Sequence, residues 1–374
     1  MTTNRDVLVY GASGYTGKLV AEYLAARDIP FYMAGRDTAR LEAARAVVEQ
    51  RIGRSIDASL VTADNTVESL LPLFQRVKVV INVVGPFMQL AWPVVEAALR
   101  AGCHYIDTTG EQDWTIAVAD KFGAAFADKK LLLCPATSYM WTAGALAAEV
   151  VLEDPGIDSL DILYQIDNGL PSQASTKSFL RMCTRPQYYI EHRKLVQWPM
   201  ATSYLVKAPD SHRLFRALPW AGGGEPVWYE GDARVSNCST LVGFRNQLMF
   251  DAVIAALENF EKDYRHLPDA EQERICNEIG GQLTQVEPDR ENPDVNRSVI
   301  SCIGRGNTTG VSVVLRGNSP YIQTGLLAAE GCRRILRGQL LAAGFQSPAK
   351  AFGARAILNA WAEHGYHSWE AQAT

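Results

Sequence analysis

The chain has 374 residues, room for two domains rather than one, and its 47% hydrophobic and 21% charged residues suit a globular protein with a real core. A formal net charge of −5 and the lack of any basic arm exclude nucleic acid as the expected partner, because phosphate binding wants a basic face. No apolar run reaches the about 18 residues of a membrane span, and residues 1–6 lack the apolar stretch of a secretory leader, so a cytoplasmic protein without a transmembrane segment is expected.

From the N-terminus, short apolar runs alternate with amphipathic stretches. Strands are expected at 6–10, 31–34, 58–61, 77–84, 104–106 and 131–134, and helices at 14–27, 37–51, 67–74, 91–101 and 114–127. The strands read as continuously apolar, as strands buried on both faces must, and the alternation predicts an α/β, Rossmann-type doubly wound parallel sheet. After Pro135 the rhythm changes. A helix at 142–152 and a strand at 160–166 precede an aromatic-, Pro- and Gly-rich stretch over 186–230. Helices follow at 246–264 and 269–279, then an antiparallel hairpin of 298–303 and 310–315, then a long helix at 324–341. The expected organisation is a dinucleotide-binding domain over 1–137 and an α+β substrate or dimerisation domain over 138–319, with C-terminal helices over 320–374 packing back on the first domain. Cys103, Cys134, Cys183, Cys238, Cys276, Cys302 and Cys332 are scattered without a CxxC pair, which reads as reduced thiols and no metal site.

Gly11-Ala12-Ser13-Gly14-Tyr15-Thr16-Gly17 follows the first strand and opens the first helix. In this G-x-x-G-x-x-G variant of the dinucleotide fingerprint, Gly11 permits the tight turn, Gly14 lets backbone approach a pyrophosphate, and Gly17 lets the helix pack closely. The helix start offers N–H groups and the positive dipole end to phosphates. The second strand ends Ala34-Gly35-Arg36-Asp37. An NAD site wants a carboxylate there for the ribose 2′-hydroxyl, and an NADP site a cation for the 2′-phosphate. Arg36, joined by Arg40 one turn later, favours NADP(H) over NAD(H), while Asp37 is well placed to cap the following helix.

Four blocks occur in order: the glycine loop, Ala34-Gly35-Arg36, Asn82-Val83-Val84-Gly85-Pro86-Phe87, and the run from Ala101 through His104, Tyr105, Asp107 and Gly110 to Glu111. Together they resemble the saccharopine dehydrogenase-like reductases, especially the branch of trans-acting enoyl reductases. Pro320-Tyr321 and Thr324-Gly325-Leu326-Leu327 look like that family's helix returning to the nucleotide domain. The resemblance implies NADP(H) held by Gly11, Ser13, Gly14, Tyr15, Thr16, Gly17, Arg36 and Arg40. It implies Asp64 near the adenine and Val84, Gly85, Pro86 and Phe87 lining the nicotinamide side, although a helix cap is an equal reading of Asp64. Tyr105, Asp107 and Glu111 read as supporting or surface residues. The resemblance ends at the sixth strand: those reductases continue with a Cys-Gly-Phe-Asp-Ser-type segment, and this chain reads Pro135-Ala136-Thr137-Ser138-Tyr139-Met140-Trp141.

A nicotinamide supplies hydride, and the protein must orient the acceptor and manage a proton. No Tyr-x-x-x-Lys pair stands after the fifth strand, and His192, His212 and His266 read as single surface histidines. Tyr139 and Tyr321 are the candidate proton donors, with packing an equal reading of both rings. The expected function is NADPH-dependent reduction of a conjugated C=C, or of a C=O or C=N carbon, in a moderately apolar small molecule. Two alternatives stand beside it. One is a saccharopine-type C–N dehydrogenase using Lys177, Arg181 and Arg185 for substrate carboxylates. The other is a non-catalytic NADP(H)-binding regulator, since fold alone does not give function. A homodimer built on exposed strands of the second domain is the expected assembly.

Overall fold

The computed structural model describes residues 5–209 and 211–374, apart from the side chains of Cys183 and Met249. Residues 1–4, on which the leader reading partly rests, and the Cys183 thiol lie outside the described residues. In chain order the elements are β1 (Val7–Tyr10), α1 (Tyr15–Ala26), β2 (Phe31–Gly35), α2 (Thr38–Ile52), β3 (Ala58–Thr62), α3 (Val67–Phe74), β4 (Val79–Asn82), α4 (Phe87–Leu90), α5 (Trp92–Ala101), β5 (His104–Asp107), α6 (Gln112–Asp128) and β6 (Leu132–Cys134). Then come α7 (Tyr139–Val151), β7 (Ile157–Asp167), α8 (Gln173–Cys183), β8 (Tyr188–Glu191), β9 (Lys194–Gln197), β10 (Tyr204–Lys207), β11 (Leu214–Leu218), α9 (Glu225–Tyr229), β12 (Asn237–Phe244), α10 (Gln247–Asp263) and α11 (Asp269–Leu283). The last are β13 (Arg297–Gly306), β14 (Gly310–Asn318), α12 (Pro320–Leu336), β15 (Gly344–Phe345), α13 (Pro348–Phe352), α14 (Ala354–Glu363) and β16 (His367–Ala373).

The chain divides into two units. The first comprises 1–109, 114–139 and 321–353; the second comprises 110–113, 140–320 and 354–374. The stretch expected to return whole to the nucleotide domain is therefore split. Tyr321–Gly353 belongs to the first unit, and Ala354–Thr374 belongs to the second, where β16 finds an antiparallel partner in β14.

Among the described residues the first unit holds a seven-stranded sheet of order β15-β6-β5-β4-β1-β2-β3, parallel at every pairing. Val7-Leu8-Val9-Tyr10 and Val79-Val80-Ile81-Asn82 are buried throughout, as central strands covered on both faces must be. On one face Leu70, Phe74, Val94, Ala98, Trp114, Val118 and Phe126 pack on Leu8, Val80 and Tyr105. Strand order reverses between β1 and β4, so the crevice beyond their carboxyl ends is the topological switch point, where such sheets bind ligands. The C-terminal β15, only two residues long, escapes any periodicity and joins the sheet beside β6.

The second unit carries a mixed sheet of order β10-β11-β12-β7-β13-β14-β16, with β8 and β9 branching from β12. The expected hairpin is longer than its apolar core: β13 and β14 pair antiparallel from Arg297↔Asn318 to Arg305↔Gly310. The β7–β12 pairing is parallel. Within the first unit α12 lies on α1. A methyl at Gly325 would sit 2.8 Å from the Leu19 carbonyl carbon and oxygen. Overpacking against backbone, at about 1–3 kcal/mol, outweighs the about 1 kcal/mol that Ala gains over Gly in a helix. Gly325→Ala is therefore expected to lower the urea midpoint without changing the slope; an unchanged or higher midpoint would show that α12 is free to lift off α1.

Candidate functional site: the carboxyl edge of the parallel sheet

Gly11 follows β1 at φ +90°, a conformation L side chains avoid. A Cβ there would meet the Val84 side chain at 2.6 Å and that of Val83 at 3.1 Å, so the loops leaving β1 and β4 touch across the switch point. The N–H groups of Gly11 and Ala12 both donate to the Ala34 carbonyl, which ties the glycine turn to β2. A Cβ on Gly17 would run into the Gly11 carbonyl oxygen and stand 2.7 Å from the Ala12 Cα. Gly17 thus lets α1 press on the turn itself. Gly14 caps α1 with no side-chain acceptor, and no acidic residue occupies the first turn. An uncharged, side-chain-free helix start of this kind fits a dinucleotide pyrophosphate. Ser13 in the loop and Thr16 in the first turn of α1 are half-buried, and Tyr15 is buried.

At the end of β2 the two readings of Asp37 separate. Its side chain accepts the Arg40 N–H at 3.0 Å and so caps α2. Arg36 and Arg40 are exposed, and among the described residues no carboxylate holds either guanidinium. Asp64 is exposed, and the cap of α3 is Thr66, which accepts from Ser69, so helix capping does not occupy the Asp64 carboxylate. Tyr10 lies between these charges. Burial raises its hydroxyl above the ordinary value, with Arg36 opposing and Asp64 adding. The Tyr10 hydroxyl donates to Asn65, whose amide donates to the Leu90 carbonyl.

At the β4 exit two of the expected site residues are half-exposed and two, Pro86 and Phe87, are buried. Val84 and Gly85 are half-exposed and the Gly85–Pro86 peptide is cis, but Phe87 turns inward and packs in the core with Leu8 and Tyr10. The phenyl ring is drawn there because α4 starts at Phe87, pointing its first apolar side chain at the sheet. Tyr139 is only 2% exposed, and its N–H donates to the Thr324 hydroxyl. Tyr321 is half-buried and sets its ring edge-on to Tyr15 with centroids 5.0 Å apart, beside the glycine loop. Cys134 is a buried strand residue whose thiol burial pushes up to about 12.

The residue that sequence reasoning undervalued is Asp107. Fully buried at the end of β5, it accepts from Trp114 Nε1 at 2.8 Å, the Tyr105 hydroxyl at 3.0 Å, and the backbone N–H groups of Ala136 and Thr109 at 2.9 and 3.0 Å. Tyr105 accepts in turn from Asn82 Nδ2 at 3.0 Å, and Asn82 Oδ1 accepts the Val84 N–H at 3.0 Å. The signal available in the sequence was an aspartate ending an apolar strand, where a buried charge needs a reason. In the second unit, Glu111 and Arg181 form a buried ion pair at 2.7 Å, with Asp113 also on Arg181 at 2.7 Å. Arg185 is held by Asp269 and Glu273. The arginines weighed as a carboxylate clamp are thus already neutralised.

Burial pushes the Asp107 carboxyl from 3.8 up to about 6, against the lowering pull of its Trp114, Ala136, Thr109 and Tyr105 hydrogen bonds. With the folded value above the unfolded one, Asp107 protonates in the folded chain as pH falls through about 6. Its contribution to stability is accordingly full only below the unfolded value and lost as pH rises through the folded one. The Trp114 fluorescence, isolated as the difference between wild type and Trp114→Phe, is expected to change with a midpoint near pH 6. A flat difference between pH values of about 5 and 8 would contradict this assignment.

Residues 142–368 match the model described as a family of unknown function (DUF5938), and residues 7–127 match that of the saccharopine dehydrogenase NADP binding domain. A lipid droplet localized protein of Caenorhabditis elegans is 36% identical over 123 residues, 31% of this chain and 29% of that protein. A trans-acting enoyl reductase of Mycobacterium leprae is 38% identical over 109 residues, 28% of this chain and 25% of that protein. The chain thus spans under a third of the length of these curated relatives. Saccharopine dehydrogenase (L-Glu forming) from Saccharomyces cerevisiae shares the fold, with a TM-score of 0.63 over 99% of this chain and 100% of that one at 12% identity. The match over residues 7–127 supports NADP(H) as the cofactor of the first unit. The chain belongs to the family of unknown function DUF5938 and carries, ahead of the region that defines that family, a saccharopine dehydrogenase-type NADP-binding domain.

Proposed function

We propose that the protein is an NADPH-dependent reductase that delivers hydride to a conjugated C=C, or to a C=O or C=N carbon, of a moderately apolar small molecule. The observation that carries this reading is the pairing of an uncapped, acid-free α1 start at Gly14 with an Asp37 carboxylate spent on capping α2. That pairing leaves Arg36 and Arg40 as the charged groups for a ribose 2′-phosphate. In this reading Gly11, Ser13, Gly14, Tyr15, Thr16 and Gly17 hold the pyrophosphate, Asp64 lies toward the adenosine, and Val84, Gly85 and Pro86 border the nicotinamide. Phe87 supports that loop from the core. Bound NADPH supplies the hydride; the protein orients the acceptor and provides a proton. Tyr321, half-buried beside the glycine loop, is the better placed of the two tyrosines to give that proton, since Tyr139 is enclosed.

The enoyl-type reaction is favoured over the saccharopine type because Arg181 and Arg185 are committed to internal carboxylates. A substrate with its own carboxylates needs a cation that is free to turn toward it. The name of the trans-acting enoyl reductase relative supports the same choice, and the lipid droplet name of another suits an apolar substrate. We place the protein in the cytoplasm, where its six described cysteines, all buried, stay reduced. No helix among the described residues is long and apolar enough to cross a membrane. A homodimer using edge strands of the second sheet completes the reading; light scattering that finds only monomer excludes it.

The experiment is calorimetric titration with NADPH and NADH, followed by an NADPH-oxidation screen against enones and imines. Wild type is expected to prefer NADPH, and Arg36→Ala to lose about tenfold in NADPH affinity (~1.4 kcal/mol) while NADH binding stays the same. Equal losses for both nucleotides refute the 2′-phosphate role of Arg36. Binding of neither nucleotide overturns the reading, and tight NADPH binding with no oxidation by any acceptor makes the protein a regulator.

A further inference from the structure

The Asp107 network has a direction. Oδ1 of Asp107 accepts from Ala136 and Thr109, and Oδ2 from Trp114 and Tyr105, so four donors meet one carboxylate. At the far end the Val84 N–H only donates. Asn82 must therefore turn Oδ1 to Val84 and Nδ2 to Tyr105, and the Tyr105 hydroxyl must accept from Asn82 and donate to Asp107. An obligate donor at one end and a carboxylate at the other allow one arrangement of protons. All of these residues belong to the first unit, and the chain joins the exits of β4, β5 and β6.

Burying a carboxylate is costly, and a strand end that needed only packing would do better with apolar side chains. What this arrangement secures is the backbone position of Val84, whose side chain abuts the Gly11 turn across the switch point. We propose that Asp107 is a positioning residue for the nicotinamide end of bound NADP(H): through Tyr105 and Asn82 it holds the Val84–Gly85–Pro86 backbone where the cofactor meets it. The inference rests on the dinucleotide reading of this edge. Titratable groups facing Asp107 are Tyr105 on its own strand and Cys134 on β6, both held neutral by burial.

Asp107→Asn tests the direction of the chain. The amide keeps an oxygen for Ala136 and Thr109 but presents N–H to Tyr105 and Trp114. Tyr105 must then donate to Asn82, whose amide reverses and sets N–H against the Val84 N–H. Adding Asn82→Asp restores an acceptor to both Val84 and Tyr105 and leaves the Trp114 mismatch common to both variants. The full-length variants are titrated calorimetrically with NADPH and with adenosine 2′,5′-bisphosphate, which lacks the nicotinamide half. Asp107→Asn is expected to weaken NADPH roughly tenfold or more and to leave the bisphosphate within about twofold, because only one end of the site loses its support. The double variant is expected to recover most of the NADPH affinity. Tyr105→Phe, which removes the central hydroxyl and keeps the ring, is expected to show the same selective loss, and it decides the matter if Asp107→Asn does not fold. Equal weakening of both ligands, unchanged NADPH affinity, or a double variant no tighter than the single one overturns the positioning role. A wild type that binds the bisphosphate and NADPH leaves the underlying reading intact whatever the variants do; one that binds neither overturns that reading itself.

Discussion

Parallel strands deliver their carboxyl ends to one edge, and in this protein the loops from the two central strands meet there at atomic contact. The Gly11 turn can lie against Val83 and Val84 only because position 11 has no side chain and accepts a positive φ. That approach carries much of the rest. It brings the Gly11 and Ala12 N–H groups onto the Ala34 carbonyl, sets where α1 begins, and leaves Gly17 no room for a methyl group. The edge residues of β1, β2 and β4 are thereby held in one register before any ligand is considered, which is the condition for a preorganised phosphate site.

The two units handle buried charge differently. In the first, Asp107 gathers donors from three consecutive chain segments at the edge of the sheet. In the second, Glu225 is enclosed beside Tyr164 and Thr240, and burial pushes it up to about 8. A methyl group on Gly144, whose N–H donates to the Tyr164 hydroxyl at 2.6 Å, would strike the Glu225 carboxyl. Glu111 and Arg181 neutralise each other in the interior. Removing one member of such a pair strands the other without water, so these groups hold the second unit to one packing. The same enclosure makes them poor candidates for meeting a substrate.

The fold is shared with yeast saccharopine dehydrogenase at 12% identity, and at that distance the likeness carries the architecture alone. The chemistry of this chain rests on its side chains: arginines turned to internal carboxylates, a tyrosine beside the glycine loop, and a strand-end aspartate with four donors.

Much of the first unit was legible in the amino-acid sequence. Its strands and helices are continuous runs whose burial follows from local patterning, and α3 falls on the expected residues 67–74. The glycine spacing marked the turn after β1 and the start of α1 because turn geometry and helix start are local properties. The capping role of Asp37 was open for the same reason, three residues separating donor from acceptor. The tertiary structure decided what depends on distant partners. β16 and the two-residue β15 exist only because edges of finished sheets await them. β7 and β12 pair in parallel although many residues separate them, and neither run announces the other. Phe87, expected from the motif to line the site, is buried in the core cluster, which its position in the motif did not announce. Arg181 stood as a candidate cation for substrate carboxylates and is instead paired in the interior with Glu111, which lies 70 positions earlier. Asp107 draws its partners from 2 to 29 positions away, and no local spacing encodes that convergence. Periodicity and turn chemistry act over a few residues, so the sequence by itself determined the strand-helix alternation of the first 134 residues and the glycine turn within it. Which side chains face one another across strands is settled only when loop closure brings their backbones together, and that decided the site's supports.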